Sequence, residues 1–318
     1  MLYITVGAVL FVIALCFYFT QPIWGGRTVE RATRVDPRRL ESHVRMLSEN
    51  LTPRDAPHTE NLDRVALYIR QEFGQAGGRV LDQPYQVGDA TYRNIIAAFG
   101  PETRERIVVG AHYDAAGPRP GADDNASGVA GLVELAHLLG KTELPIGVEL
   151  VAYTLEEPPF FRSEYMGSAV HARALKKEGA LVRVMFSLEM IGYFSDAPDS
   201  QRFPSPALRL FYPTKGDFIS VVGKMGQALL VRRVKRAMRG SSSLPVYSIN
   251  APRFVPGVDF SDHMNYWEAD YPAVMITDTA FYRNPNYHTT ADTAEKLDYG
   301  RMAQVVEGVY AAVSELSH

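Results

Sequence analysis

The sequence predicts an α/β protein, a three-layer α/β/α sandwich on a mixed, mostly parallel sheet. Apolar runs of strand length, at 105–112, 146–155, 181–188 and 273–279, are interleaved with segments of helical periodicity. With 318 residues, 46% of them apolar, the chain can bury the core of one large domain. No internal repeat or low-complexity tract interrupts it. Residues 36–51 read as a helix with Leu40, Val44 and Leu47 on one face, and 59–76 as a second with Leu62, Val65, Ala66 and Ile69 inward. Residues 91–99 and 105–112 read as two strands with a turn at Gly100-Pro101 between them, and 125–139 as a helix.

The chemistry-bearing residues fall just past the predicted strand ends. Val108-Val109-Gly110-Ala111-His112-Tyr113-Asp114 runs an apolar strand into a His-x-Asp, and Gly121-Ala122-Asp123-Asp124-Asn125-Ala126-Ser127-Gly128 follows as a glycine-framed acidic loop. Glu156-Glu157 follow the run 146–155. Glu189 ends the run 181–188 in Ser187-Leu188-Glu189-Met190-Ile191-Gly192-Tyr193, and Asn286-Tyr287-His288-Thr289-Thr290-Ala291-Asp292-Thr293 follows the run 273–279. Each has a plain alternative: a Glu-Glu pair is usually a solvated surface, a Glu after a strand a helix cap, a loop histidine no ligand. Their arrival at one edge argues otherwise, because ligands of open α/β sheets gather outside the carboxyl ends of the strands. Imidazole with carboxylates suits a borderline divalent cation such as zinc.

In these motifs, and in Ser261-Asp262-His263, the chain resembles the M28 family of zinc aminopeptidases, from about residue 94 to the C-terminus. The resemblance implies a zinc exopeptidase-like fold and release of N-terminal residues from peptides. It implies two Zn2+ per chain, held by His112, Asp124, Glu157, Glu189 and His288, with Asp124 bridging and Glu156 as general base to a metal-activated water. Adjacent residues of an extended segment point in different directions, which lets Glu156 and Glu157 divide these two tasks. Tyr287 is a candidate donor to the tetrahedral oxyanion, with ordinary aromatic packing as the alternative. Asp114 and Asp292 are candidates for orienting His112 and His288, with turn capping the alternative for Asp292.

Two departures from the family pattern stand out. Many members carry Asp where this chain has Glu189. The segment after Glu157 reads Pro158-Pro159-Phe160-Phe161 rather than a glycine turn, so Phe160 and Phe161 are expected to wall part of a substrate pocket, with Tyr193 and His263 also near it. Ser261 or Asp262 is expected to cap a helix. Residues 206–239, within an insertion at about 200–258, are expected to carry a helix over the site. Two other functions stay open: a single-zinc acyl transferase of the glutaminyl cyclase type, which shares this architecture, and a non-catalytic peptidase-like binding ectodomain. The full set of ligand-type residues disfavours both.

Residues 2–20 are nearly all apolar and uncharged, long enough to span a bilayer, and lack a basic n-region or small-residue cleavage site. Residues 1–24 are read as a single-pass transmembrane anchor with Trp24 at the interface, 25–35 as a polar stalk, and 36–318 as the peptidase-like domain. Arg27, Arg31, Arg34, Arg38 and Arg39 follow the span and would place the domain in the cytoplasm. The family resemblance implies export, and the extracytoplasmic (periplasmic) side is the reading carried forward. Cys16, the only cysteine, lies in the apolar run, so the domain has neither a disulfide nor a thiol nucleophile. A net charge of −3 argues against a nucleic-acid partner, and the basic run 231–239 reads as a solvated helix face.

Overall fold

The computed structural model describes residues 17–23 and 35–318. Its first helix, α1 (Pro37–Arg45), starts where Asp36 accepts the Arg38 amide at 2.9 Å and Pro37 supplies a helical φ at the first position. It buries Leu40 and Val44, then widens through Met46–Asn50, so the predicted helix 36–51 is one element with a loosened last turn. Helix α2 (Thr59–Gln75) buries the predicted Leu62, Val65, Ala66 and Ile69.

Eight strands follow: β1 (Arg79–Val87), β2 (Ala90–Phe99), β3 (Glu105–His112), β4 (Gly147–Tyr153), β5 (Leu181–Glu189), β6 (Ile219–Lys224), β7 (Val246–Ala251) and β8 (Ala273–Thr277). They form one mixed sheet in the order β1-β2-β4-β3-β5-β8-β6-β7. The four central strands β4, β3, β5 and β8 run parallel, and their near-continuous Val, Ile, Leu and Phe content suits burial on both faces. β2 and β6 flank them in the opposite direction. Helices α3 (Gly128–Leu139), α5 (Ala228–Arg239) and α7 (Tyr299–Ser317) pack with α1 and α2 on one face, over the larger apolar core. Helices α4 (Gly167–Glu178) and α6 (His263–Glu268) cover the other face over a second core that includes Val108, Val151, Tyr153, Met185 and Tyr266.

Two expectations are corrected here, and one unpredicted strand is added. The insertion is not a flap: β6 and β7 extend the sheet, and α5 packs on them and on α7 instead of covering the carboxyl edge. Its buried residues Val231, Val234 and Met238 recur at helical spacing and face the sheet. The edge hairpin strand β1 was not foreseen, because its residues are exposed or half-buried throughout and include Pro84, which an edge strand tolerates. The expected helix start at Asn125 is displaced to Gly128, since Asp124 and Asn125 have non-helical backbone angles.

The predicted anchor and stalk lie mostly outside the described residues. Among the described residues no helix is long and apolar enough to cross a membrane. Residues 17–23 lie along the β7 edge, where Ser248 Oγ donates to Thr20 O at 3.0 Å and Lys235 Nζ donates to Thr20 O at 2.8 Å and Gln21 O at 3.2 Å.

Two buried histidines favour the unfolded chain as the pH falls. Burial, aided by Arg106, lowers His171 to about 4, and burial lowers His263 to about 4. At these two sites the unfolded chain therefore binds more protons between pH 6.5 and 4, so their contribution to stability falls as pH drops through that window, by about 2 kcal/mol per histidine at pH 5. Urea denaturation at pH 7 and pH 5 checks this: His171→Gln is expected to lose less stability between the two than the parent protein. Equal losses would remove His171 from the effect.

Candidate metal centre

The carboxyl ends of the four parallel strands converge on one buried cluster. β3 ends on His112 and β5 on Glu189. Glu156 and Glu157 come three and four residues after β4, Asp124 comes from the loop after β3, and His288 from the loop after β8. Asp124 stands in the middle. Its Oδ1 is 3.3 Å from His112 Nε2, and its Oδ2 is 3.1 Å from His288 Nε2. Glu189 Oε2 lies 3.4 Å from His112 Nε2, and Glu157 Oε2 lies 3.2 Å from His288 Nε2. The donor atoms thus form three overlapping groups, His112–Asp124–Glu189, Asp124–Glu157–His288 and His112–Glu156–Glu157, with donor atoms of each within 4.8 Å of one another and Asp124 common to the first two. Glu156 Oε2 stands further back, 3.9 Å from His112 Nε2.

Backbone hydrogen bonds hold these groups in place. Asp114 accepts the Glu156 amide at 3.2 Å and the Glu157 amide at 3.0 Å, fixing the acidic pair to the end of β3. Its carbonyl accepts His112 Nδ1–H at 3.2 Å, which turns Nε2 toward Asp124 and Glu189. Asp292 does not orient His288. Its two oxygens accept the amides of Asp123 at 3.0 Å and Asp124 at 3.1 Å, close to the capping alternative. Asn125 donates to Leu188 O at 2.8 Å and accepts from the Met190 amide at 3.1 Å, tying the Asp124 loop to the end of β5. Gly128 is required beside it, because a Cβ there would come within 2.6 Å of Leu188 O. His288 has a φ of 55° and stacks on the Tyr287 ring, with centroids 3.8 Å apart.

The electrostatics follow from crowding acids and imidazoles out of water. Burial disfavours charge on His112, but Glu189, Glu156, Asp114 and Asp124 outweigh it and raise the imidazole well above its usual range. Burial also opposes His288, yet Asp124 and Glu157 raise it to about 10. Between the two imidazoles Asp124 is held below the ordinary carboxylate range despite its burial. Burial and Asp124 push Glu157 up to about 7, and burial, with Glu157, Glu189 and Asp262, raises Glu156 well above its usual range. His112 Nε2, His288 Nε2 and Glu157 Oε1 are buried without hydrogen-bond partners. Unpartnered buried nitrogen and oxygen donors facing one another are the donor set of a divalent cation of the zinc type.

A cleft of about 860 Å³, open mouth included, adjoins the cluster at Glu189 and Tyr287. Its wall is aromatic and apolar: Phe203, Leu208 and Tyr212 from the segment before β6, Phe218, Val222 and Ile249 around β6 and β7, then Phe260, Phe281 and Tyr282. Phe160, Phe161, Tyr193 and His263, expected near a substrate pocket, are not among the residues that line this cleft. Phe160 packs against Tyr92 and Tyr165, and Phe161 lies behind Phe260 at 5.9 Å between centroids. Tyr193 is tied by its amide to Asp278, and His263 is fully buried, its Nε2–H donating to Val258 O at 2.8 Å. Ser261 is not a side-chain cap. Its hydroxyl donates to Glu189 Oε2 at 2.6 Å and meets Ser187 Oγ at 2.8 Å, so it aims the acid that ends β5. A serine opposite a strand-end carboxylate leaves no mark in the local pattern, and neither did the aromatic wall before β6.

With this geometry in view, the comparisons with known proteins become informative. The chain is 50% identical over 310 residues to an uncharacterized protein, YfbL, of Escherichia coli (strain K12), covering 95% of each chain. It is 27% identical over 267 residues to leucine aminopeptidase 1 of Ajellomyces capsulatus, covering 78% of this chain and 62% of that relative, less than two thirds of its length. Among solved structures, a zinc aminopeptidase from Bacillus subtilis, BSAP, superposes with a TM-score of 0.72 at 17% identity, covering 90% of this chain and 96% of that one. A glutaminyl cyclase from Bacteroides thetaiotaomicron does so with a TM-score of 0.68 at 18% identity, covering 91% and 99%. At such identities the structural likeness speaks to the fold alone. The family model for peptidase family M28 matches residues 94–313, and the chain belongs to that family.

Proposed function

We propose that this protein is a zinc-dependent aminopeptidase that hydrolyses the first peptide bond of peptide substrates. One observation carries the reading: two triads of ligand-type side chains share a single carboxylate, Asp124, while Glu156, grouped with His112 and Glu157 but 3.9 Å from His112 Nε2, is not needed to complete either. In this reading His112, Asp124 and Glu189 hold one ion, Asp124, Glu157 and His288 the other. Bound there, a zinc pair supplies Lewis acidity and an acidified water.

The chain's own residues do the rest. Glu156 takes a proton from the attacking water and returns one to the departing amine, a role open to a carboxylate that stands beside the donor groups, 3.9 Å from His112 Nε2. Asp114 keeps Glu156 and Glu157 pointing to different partners by holding both their amides. Tyr287 stays a neutral phenol, because burial and the acids around it raise its pKa, and it donates to the oxygen that gains charge in the tetrahedral intermediate. The apolar cleft beside Glu189 receives the side chain of the N-terminal residue and excludes water from the reacting amide.

The glutaminyl cyclase neighbour supports a second reading, a single-zinc acyl transferase on the same architecture. The paired donor groups favour the peptidase. Metal analysis of purified protein, with hydrolysis of a panel of aminoacyl amides before and after chelation, separates the two. The expected result is two zinc ions per chain and chelator-sensitive release of free amino acids. One ion per chain with cyclisation of glutaminyl peptides would establish the rival.

Two substitutions assign the roles. Glu156→Gln is expected to keep its zinc and lose at least a hundredfold in kcat, within the range of a lost general base; wild-type turnover would remove Glu156 from that role. His288→Ala is expected to lower zinc content and melting temperature together, because ligand loss couples to folding. Unchanged zinc would refute the ligand assignment. The apolar run 2–20 also supports a membrane-anchored form of the chain, and the family resemblance the extracytoplasmic side for its domain. Fractionation tests this: the full chain is expected with membranes and a form lacking residues 2–16 in the soluble fraction, and a soluble full chain would end that reading.

A further inference from the structure

We propose that Arg54 is a positioning residue for the metal centre, its guanidinium setting the path of the two loops that carry Asp114 and Asp124. The inference rests on the zinc reading above. Arg54 is 0% exposed and one of the largest fully buried side chains in the protein. Its Nε donates to Tyr113 O at 3.0 Å, Nη1 to Leu47 O at 2.6 Å and Pro120 O at 3.0 Å, and Nη2 to Gly121 O at 2.9 Å. In return its own carbonyl accepts the Ala115 amide at 3.1 Å.

These acceptors are not scattered. Tyr113 and Ala115 bracket Asp114, whose carboxylate holds the Glu156 and Glu157 amides. Pro120 and Gly121 lead directly into Asp124. Gly121 has a φ of 57°, and a Cβ there would meet Asp124 O at 2.4 Å and Arg54 Nη2 at 3.0 Å, so loop and guanidinium are fitted to each other. Only Leu47 lies elsewhere, and it ties the arrangement to the segment after α1. A lysine ammonium is a single point donor and cannot hold a fork of this width.

Charge adds to shape. Burial lowers Arg54 to about 10, opposed by Asp292, Asp114, Asp124 and Glu157, so it remains a cation at neutral pH. It is a fixed positive charge behind a centre crowded with carboxylates. Residue 54 lies outside the stretch 94–313 that the family model matches, so the preceding segment is part of the centre's support.

The test compares the full-length parent protein with Arg54→Lys, and with Pro120→Gly, which frees the same loop without removing the cation. Zinc retention is measured by competition with a chelator, and melting temperature in the zinc-loaded and zinc-stripped forms. Arg54→Lys is expected to lose 10–100-fold in zinc affinity, as for other residues behind the ligands, and the rise in melting temperature on adding zinc should shrink. Pro120→Gly should shift both in the same direction by less. Arg106→Met, which breaks the 2.6 Å pair with Glu149 at the amino end of the parallel strands, should lower both melting temperatures equally and leave zinc affinity unchanged. Parental zinc affinity in Arg54→Lys, with equal losses in both forms, would overturn the proposal. Should Arg54→Lys not fold, parental zinc affinity in Pro120→Gly would overturn it. A parent protein that binds no zinc would instead overturn the proposed function.

Discussion

The carboxyl edge of the central strands depends on one constraint: two imidazoles and four carboxylates are packed together where water cannot screen them. His112, Asp124, Glu156, Glu157 and Glu189 are all buried, and His288 is partly so. Like charges at such separations repel strongly in a low-dielectric interior. The cluster persists because acids alternate with bases around Asp124, and because its unpartnered nitrogen and oxygen atoms face inward as a donor set for cations. The opposed shifts of Asp124 and its neighbours express the same packing. Asp124 between two imidazoles is held down, while Glu157, facing Asp124, is pushed up to about 7.

Such a cluster needs a rigid frame, and the fold makes it from backbone amides more than from side chains. Asp114 binds two amides of the Glu156 loop, Asp292 binds two amides of the Asp124 loop, and the Asn125 side chain joins that loop to the end of β5. Each carboxylate settles the conformation of a different loop. Each loop then presents a ligand-type residue at a defined distance from residues more than thirty positions away. Loops held by several buried charge-assisted bonds pay little further ordering entropy when a ligand binds, which is the physical content of preorganisation.

Much of this was legible in the sequence, and the exceptions have physical causes. The buried parallel strands advertise themselves as apolar runs, so the positions of His112 and Glu189 at strand ends could be read directly. β6 and β7 are short and carry Ser220, Gly223, Ser248 and Asn250 among their apolar residues, so they looked like an insertion. Phe160 and Phe161 follow two acids in a loop, a pattern that suggests a pocket wall, yet neither lines the cleft beside Glu189. The chain instead folds Phe160 back against Tyr92 and leaves the cleft wall to Phe260. Arg54 sits in a Pro-rich turn, where an arginine normally faces water. Only the fold shows that four carbonyls enclose it.

The direction of the strands also separates chemistry from selectivity. Every ligand-type residue lies at or beyond the carboxyl end of a parallel strand, β3, β4, β5 or β8. The cleft is walled largely by what lies beyond them: β6, which runs antiparallel to β8, its neighbour β7, and the segments before and after those two strands. Because β6 is reversed, its first residues, not its last, reach the same edge as Thr277 at the end of β8, and Ser220 faces the cleft there. Substitutions in these outer segments can therefore reshape the cleft without touching Asp114, Asp292 or the loops they hold. Under the proposed function, a sheet that reverses direction beside the ligand-bearing strands would let the cleft wall vary while the donor groups stay fixed, and the aromatic wall before and after β6 and β7 would be one such variant.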